Sequence, residues 1–139
     1  MDFEYIRKMN YYETDKMGIV HHSNYIRFLE EARCAWLEKE NMPMEKLEEC
    51  GYTIPTLEVN CKYKYAVTSG DVLKIIPKMK EYDGVKMTVE YEVKEMKTNR
   101  VVIEAYTKHC FTSKEMRPIN MKKHNSQIHA AFENLLLKE

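Results

Sequence analysis

Strict alternation of apolar and polar residues most constrains what this chain can fold into. Over residues 85–94 every second side chain is apolar, with charged residues or threonine between, and residues 56–65 alternate in the same way. Successive side chains of a strand point to opposite faces, so this period predicts half-buried antiparallel strands. Residues 72–82 and 101–112 add two more predicted strands. Turn residues separate them, above all Asp83-Gly84, so the pattern predicts a meander of four strands.

Helical periodicity occurs before and after the meander. Residues 24–40 carry apolar side chains at Tyr25, Phe28, Leu29, Ala32 and Trp36, which form one face of a helix. Ser23 or Asn24 suits its N-cap, and Pro43 ends the segment. A helical turn over 44–49 and a closing helix over 126–138 are also expected.

The order of these elements predicts the fold class. Residues 3–12 alternate weakly and predict a first strand, so the chain has a strand, a long helix, four strands and a closing helix. We expect one α+β domain over residues 1–139, with a five-stranded antiparallel sheet whose one face is covered by the long helix.

Composition narrows the possible partners and the cellular location. The chain has 22 Lys and Arg residues and 22 Asp and Glu residues. It therefore lacks the basic excess that is typical of proteins that bind nucleic acid. No apolar run has the length of a membrane span, and the N-terminus lacks the pattern of a signal peptide, which together predict a cytoplasmic protein. The cysteines, at positions 34, 50, 61 and 110, form no CxxC pair, so we expect reduced, mostly buried thiols and no zinc site.

Residues 11–25 concentrate the groups that acyl transfer needs. Asp15 offers a carboxylate that can act as nucleophile or general base. Gly18 permits a close backbone approach to a ligand, and His22 comes just before the long helix. Unpaired backbone N–H groups at a helix start can polarise a carbonyl oxygen.

The segment YYETDKMGIVHHSNYIRFLEEAR, residues 11–33, resembles the signature of a known family. It is similar to hotdog-fold acyl-CoA thioesterases of the 4-hydroxybenzoyl-CoA thioesterase or YbgC type, and the resemblance extends over essentially the whole chain. The matching positions are Thr14, Asp15, Gly18, Ile19, Val20, His21, His22, Asn24, Tyr25, Glu31, Ala32 and Arg33. The resemblance implies a five-stranded sheet wrapped around a long central helix, plus a C-terminal helix.

The resemblance also implies a role for each site residue. Asp15 would attack the thioester carbonyl or activate a water, and the His22 backbone N–H would polarise that carbonyl. The His22 side chain is a second candidate, with a cap or packing role as its alternative. Tyr11 occupies the position of a site tyrosine. The alternative is that Tyr11 is a core residue on the first strand. Substrate contacts are expected at Gly18, Val20, Asn24 and Tyr25, whereas Glu31 and Arg33 are expected to be structural.

The expected partners follow from the same resemblance. The acyl group would bind at a subunit interface of a homodimer or homotetramer, and neither a cofactor nor a metal is implied. The carrier is coenzyme A or, alternatively, acyl carrier protein, and a non-catalytic acyl-CoA-binding module is a third alternative. Cations for coenzyme A phosphates could come from Lys108, Lys114, Arg117, Lys122 and Lys123.

Overall fold

The computed structural model describes residues 2–137. The five longest strands alternate with connections that carry the helices and two very short strands. The strands are β1 (Tyr5–Lys8), β2 (Tyr52–Thr53), β3 (Thr56–Tyr63), β4 (Val72–Tyr82), β5 (Lys86–Glu95), β6 (Val101–Cys110) and β7 (Thr112–Ser113). The helices are α1 (Asn24–Lys39), α2 (Met44–Glu49), α3 (Met121–His124) and α4 (Ser126–Leu137), and a 3-10 turn spans Tyr11–Glu13.

The predicted five-stranded antiparallel sheet is confirmed, with strand order β1-β4-β5-β6-β3. One row of paired residues crosses the whole sheet, from Tyr5 through Ile75, Val93 and Ile103 to Tyr63. The consecutive strands β4, β5 and β6 are neighbours, as expected for a meander. The strand β3 precedes them in the chain but lies beyond β6, so it forms one edge of the sheet and β1 forms the other.

The core lies between one face of the sheet and the helices α1 and α4. The apolar face of α1 is buried as its periodicity predicts, and Phe28 and Leu29 are fully covered. α1 contacts mainly β4 and β1, while α4 packs on β4 with Phe132 and Leu135. Removing these side chains from water supplies the main driving force for the fold. The finer prediction that the sheet wraps around α1 stays a prediction.

The inner face of β3 is more exposed than its alternation predicts. Val59 and Tyr63 share this face and are exposed, and Leu57, in the irregular part of β3 before them, is 54% exposed. A bulge between Thr56 and Glu58 breaks the predicted alternation, so that Thr56, opposite His109, lies on the same face as Val59, opposite Thr107. Beyond the bulge the alternation holds, but α1 lies over the far side of the sheet and leaves this face uncovered. A row of apolar side chains therefore remains open along an edge strand.

Element ends differ from the sequence predictions where local contacts override the period. The first strand ends at Lys8, because the chain turns at Asn10, whose backbone N–H donates to the Glu13 carboxylate. The last long strand ends at Cys110, and the short β7 pairs instead with β2 in a two-stranded ribbon that the sequence did not indicate. Position 138 of the predicted closing helix lies outside the described residues.

Two smaller expectations also need correction. Ser23 occupies the N-cap position of α1, yet its side chain makes no capping hydrogen bond. The cysteines are free thiols, but of these Cys110 is buried, Cys34 and Cys61 are partly buried, and Cys50 is exposed. One cysteine is therefore fully buried, whereas the sequence predicts that most of them are.

Two leucines of α4 offer a test of the core assignment. Leu135 is 4% exposed and belongs to the core, whereas Leu137, on the same helix, is 74% exposed. We expect Leu135→Ala to lower the free energy of unfolding by about 2–5 kcal/mol, because it removes buried methyl groups and leaves a cavity. Leu137→Ala should change it by less than about 0.5 kcal/mol. If urea denaturation showed the same loss of unfolding free energy for both variants, the packing of α4 would be contradicted.

Candidate functional site

The segment around Asp15 forms a small hairpin before α1. The Asp15 N–H donates to the Ile19 carbonyl oxygen at 2.9 Å, and Thr14 pairs with Val20. The Gly18 N–H donates to the Asp15 carbonyl oxygen at 3.0 Å, which closes the turn. The backbone around the candidate catalytic residue is thus held by its own hydrogen bonds.

The Asp15 carboxylate is partly exposed and bound at one oxygen. Its Oδ1 accepts a hydrogen bond from the Met17 N–H at 2.8 Å. The local turn fixes the orientation of the side chain. Its other oxygen accepts no hydrogen bond from a residue between 2 and 137, so a substrate or a water can reach it.

Gly18 has the backbone conformation that its residue type permits. Its φ is +80°, and no atom lies within 4 Å of the position that a Cβ would occupy. The glycine is therefore required by the turn rather than by a neighbouring side chain. Its carbonyl oxygen accepts a hydrogen bond from Thr68 Oγ1 at 2.7 Å, which ties the hairpin to the segment before β4.

His22 lies at the start of α1 with its backbone N–H unused. The carbonyl oxygen of Glu13 accepts from the His21 N–H at 2.9 Å and from Asn24 Nδ2 at 2.8 Å. The His22 N–H, which lies between them in the chain, has no hydrogen-bond acceptor among residues 2–137. At the positive end of a 16-residue helix, this N–H can polarise a carbonyl oxygen.

The His22 side chain is exposed and makes aromatic contacts. Its ring stacks on His21 at a centroid distance of 4.2 Å and meets Tyr63 edge-on at 6.1 Å. The Tyr63 hydroxyl donates to the His22 carbonyl oxygen at 3.2 Å, so β3 also supports the start of α1. His21 Nδ1 instead pairs with the hydroxyl of Ser23.

The two candidate tyrosines have opposite environments. Tyr11 is 83% exposed and belongs to the 3-10 turn, so the alternative of a core position on the first strand is wrong. Tyr25 is buried, and its burial raises its pKa to about 12, which keeps the phenol protonated at neutral pH. Its ring contacts Tyr63 edge-on at 5.6 Å. Val20, which belongs to the hairpin, is buried, and its N–H donates to the Val67 carbonyl oxygen.

An ion-pair network that the sequence did not indicate joins β1, the 3-10 turn and α1. Arg7 donates from Nη1 to Glu13 Oε1 and from Nε to Glu31 Oε1, the second at 3.1 Å. Glu31 also accepts from the Tyr5 hydroxyl at 3.0 Å, and the Arg7 guanidinium lies 4.3 Å from the ring centroid of Phe28. One signal was present: Arg7 occupies an inward position of an alternating strand, where an unpaired cation would be costly.

The expected structural roles of Glu31 and Arg33 agree with their contacts. Glu31 belongs to the network around Arg7, and Arg33 Nη1 donates to the Tyr91 hydroxyl at 3.0 Å. Both side chains leave α1 on the sheet side rather than toward the hairpin of Asp15.

Four of the five candidate cations for coenzyme A phosphates lie far from Asp15 of the same chain. Lys114, Arg117, Lys122 and Lys123 follow the end of β6, at or beyond β7. The hairpin of Asp15 lies near the opposite end of the sheet, where Tyr63 pairs with Ile103. The ten residues of β6 span roughly 30 Å at the usual strand rise. A single chain therefore does not bring these four cations to Asp15.

The part of the chain that the structure describes contains neither a metal-binding cluster nor a helix that could span a membrane. Within residues 2–137, no three His, Cys, Asp or Glu side chains are placed to hold a metal ion. None of the helices in that part has the length and apolar character needed to cross a membrane.

Comparison with known proteins identifies similar chains. Residues 9–132 match the model of the thioesterase-like superfamily. A putative esterase of Aquifex aeolicus is 38% identical over 79% of this chain and 84% of its own. The acyl-CoA thioesterase YbgC of Haemophilus influenzae is 26% identical over 96% of both chains. The crystal structure of a DHNA-CoA thioesterase from Staphylococcus aureus superposes with a TM-score of 0.90 at 21% identity, over 96% of this chain and 90% of the other.

The ion pair between Arg7 and Glu13 predicts a pH-dependent stability. Burial raises the pKa of the Glu13 carboxyl, but hydrogen bonds from Arg7 and the Asn10 N–H outweigh it and hold the pKa below the ordinary value of 4.5. The unfolded chain therefore takes up the proton first, and stability falls as the pH drops below about 4.5 toward the folded-state pKa.

Denaturation at a series of pH values tests this dependence. At pH 7, Glu13→Gln should lower the free energy of unfolding by about 1.5–3 kcal/mol, because it removes a charged hydrogen-bond partner from the largely buried Arg7, which keeps Glu31. The free energy of unfolding of this variant should also fall less steeply below pH 4.5 than that of the wild type. The matched control is Glu90→Gln, which removes an exposed carboxylate 3.8 Å from Lys80. If both variants followed the wild-type pH curve, the network would not stabilise the fold.

Proposed function

This chain belongs to the thioesterase-like superfamily, and from that membership we propose that it hydrolyses acyl-CoA thioesters to the free acid and coenzyme A. The relative from Haemophilus influenzae, which is similar along 96% of both chains, is named as an acyl-CoA thioesterase. The observation that carries the proposal is the hairpin of Asp15, because it presents a carboxylate directly before a helix start with an unused N–H at His22.

Asp15 is the proposed catalytic residue. In one route its carboxylate attacks the thioester carbonyl, the carbon–sulfur bond breaks, and coenzyme A leaves as a thiolate that takes up a proton. Water then hydrolyses the resulting mixed anhydride and restores the carboxylate. In the other route Asp15 takes a proton from a water that attacks the same carbon. Both routes need one carboxylate oxygen beside the substrate, and Oδ2 is the oxygen that the local turn leaves unoccupied.

The proposed oxyanion donor is the backbone N–H of His22. Charge develops on the thioester oxygen during attack, and a fixed N–H at the positive end of α1 stabilises it without reorganisation. Asn24 supports this position through its bond to the Glu13 carbonyl oxygen. Gly18 leaves room for the ligand, and Val20 and Tyr25 provide the buried surface beneath it.

A second copy of the chain is the proposed partner. The edge strand β3 carries the exposed apolar side chains Leu57, Val59 and Tyr63, and an unpaired edge of this kind needs protection. Two-fold pairing along β3 would cover these side chains and bring the basic end of one protomer toward Asp15 of the other. That arrangement supplies the cations that one protomer alone does not place near Asp15.

Replacement of Asp15 tests the proposed chemistry. Asp15→Asn keeps an oxygen that can accept from the Met17 N–H, so the turn should persist while the nucleophile or base is lost. We expect the rate of thiol release from a panel of aromatic, short-chain and long-chain acyl-CoAs to fall by about 10²–10⁴-fold.

The matched control is the same replacement at another turn. Asp83 accepts from the Val85 and Lys86 N–H groups at the far end of the sheet, and Asp83→Asn should leave the rate near that of the wild type. Equal rates for the wild type and Asp15→Asn would refute the role of Asp15. Tight acyl-CoA binding without turnover by the wild type would instead favour the binding module, and turnover on acyl carrier protein alone would change the carrier.

The proposed interface is tested by a charge on β3. Val59→Lys places an ammonium group on the exposed apolar row, and we expect the dissociation constant of the dimer to rise by about tenfold or more in sedimentation equilibrium. Ile6→Lys, on the opposite edge strand β1, is the control at an exposed apolar position and should leave it unchanged. A monomeric wild type, or equal dimers of all three proteins, would contradict an interface at β3.

A further inference from the structure

The turn that carries Asp15 is tied to the rest of the fold by a single side chain. Within residues 2–137, one hydrogen bond joins the turn of residues 15–18 to another part of the chain, and it runs from Thr68 Oγ1 to the Gly18 carbonyl oxygen at 2.7 Å. The other hydrogen bonds of the turn stay inside the hairpin and fix its internal shape. The position of the turn relative to α1 therefore depends on Thr68.

Gly18 is the residue of this turn that most needs such a restraint. Glycine has the widest range of backbone conformations, and Gly18 has a φ of +80° with open space where a Cβ would lie. Its N–H donates to the Asp15 carbonyl oxygen, and its own carbonyl oxygen accepts from Thr68. The hydroxyl therefore fixes the peptide plane between Gly18 and Ile19, and the Ile19 carbonyl oxygen accepts from the Asp15 N–H.

Thr68 is itself anchored to the sheet. Its N–H donates to Asp71 Oδ2 at 2.9 Å, and its carbonyl oxygen accepts from the Asp71 N–H at 3.1 Å. The Asp71 carbonyl oxygen in turn accepts from the N–H of Met9, which is buried directly after β1. Because the χ1 angle of a threonine is restricted, a fixed backbone at Thr68 also fixes the direction of its hydroxyl.

A backbone contact lies beside this hydroxyl and holds the end of the hairpin. The Val20 N–H donates to the Val67 carbonyl oxygen at 2.8 Å, and Ile19 pairs with Thr68 as an isolated bridge. Val20 and Val67 are both buried. These backbone contacts do not require a particular side chain at position 68. Removal of the hydroxyl is therefore expected to loosen the turn without releasing the whole hairpin.

We propose that Thr68 is a positioning residue for hydrolysis, because its hydroxyl holds the turn that orients the Asp15 carboxylate toward the substrate. This role rests on the proposed function of Asp15 and adds a residue 50 positions after Gly18 in the chain. Oδ1 of Asp15 is bound by the Met17 N–H, so the turn sets the direction of Oδ2, the oxygen that reacts. A displacement of about 1 Å caused by a change away from the reacting atoms can lower a rate by about 10²-fold.

Replacement of Thr68 by valine removes the hydroxyl and keeps the shape of the side chain. We expect kcat for thiol release from acyl-CoA to fall by about tenfold and KM to stay within about twofold of the wild-type value, because the attacking oxygen is displaced while the binding surface is kept. Thr68→Ser keeps the donor and should restore kcat to within about threefold of the wild type. Thr68 is exposed, so these variants should fold, and Thr68→Ala is a second variant without the hydroxyl.

The matched control is Thr98→Val, in the turn between β5 and β6. Thr98 Oγ1 donates to Glu95 Oε1 at 3.0 Å, so this change removes a hydroxyl whose hydrogen bonds stay within its own turn, and kcat should remain near the wild-type value. In the Asp15→Asn background, Thr68→Val should change the residual rate by less than about twofold, since a positioning residue acts through the carboxylate that is already absent.

Amide hydrogen exchange measures the same restraint without a substrate. The Met17 N–H is bonded to Asp15 Oδ1 and the Gly18 N–H to the Asp15 carbonyl oxygen, so their exchange rates report how firmly the turn is held. Both rates should rise by about tenfold in Thr68→Val and should stay near the wild-type rates in Thr68→Ser and Thr98→Val.

Several results would overturn the role of Thr68. These are an unchanged kcat in Thr68→Val, an equal loss in Thr68→Ser, a rise in KM alone, or a further tenfold loss in the Asp15→Asn background. Equal effects of the changes at positions 68 and 98, or unaltered exchange at Met17 and Gly18, would contradict it as well. A wild type that hydrolyses no acyl-CoA would instead refute the proposed function, and the exchange rates would still decide whether Thr68 holds the turn.

Discussion

The ion pairs of Arg7 hold together the parts of the molecule that form the candidate site. Arg7 belongs to β1, Glu13 to the 3-10 turn and Glu31 to α1, so one guanidinium joins three elements that are distant in the chain. A cation buried against Phe28 is costly unless it is paired, and both of its carboxylate partners are bound by further hydrogen bonds. The edge strand, the turn and the helix therefore depend on each other for their positions.

Glu13 transmits this constraint to the hairpin of Asp15. Its carboxylate is held by Arg7 and the Asn10 N–H, while its carbonyl oxygen accepts from the His21 N–H and from Asn24 Nδ2. The chain on both sides of Asp15 is thus fixed by one buried residue. Asp15 itself needs no buried partner and can stay open to a substrate, because the network next to it sets the backbone. Separating the structural carboxylate from the proposed catalytic one lets the site be both ordered and accessible.

Local periodicity could be predicted from the sequence, and contacts between distant residues could not. The helix α1 and the strand β4 match their predicted ranges to within one residue, since the period of each is contained in its own residues. The two-residue strands β2 and β7 have no period to detect. The exposure of Val59 depends on where α1 crosses the sheet, which no residue of β3 encodes. Asp15, Gly18 and His22 could be identified because they are close in the chain, but Arg7 and Glu31 are 24 residues apart.

The same distinction applies to the polar groups on the inner face of the sheet. Hydrogen bonds connect Arg33 to Tyr91, Tyr91 to Thr107, and Thr107 to the fully buried His109. Burial, and then the nearby charge of Arg33, lower the pKa of His109 to about 4, so the imidazole is neutral at pH 7. Thr107 carries no charge, and burial raises the pKa of Tyr91 above its ordinary value of 10.0, so the phenol is neutral as well. The network therefore orients the guanidinium of Arg33 without neutralising its charge.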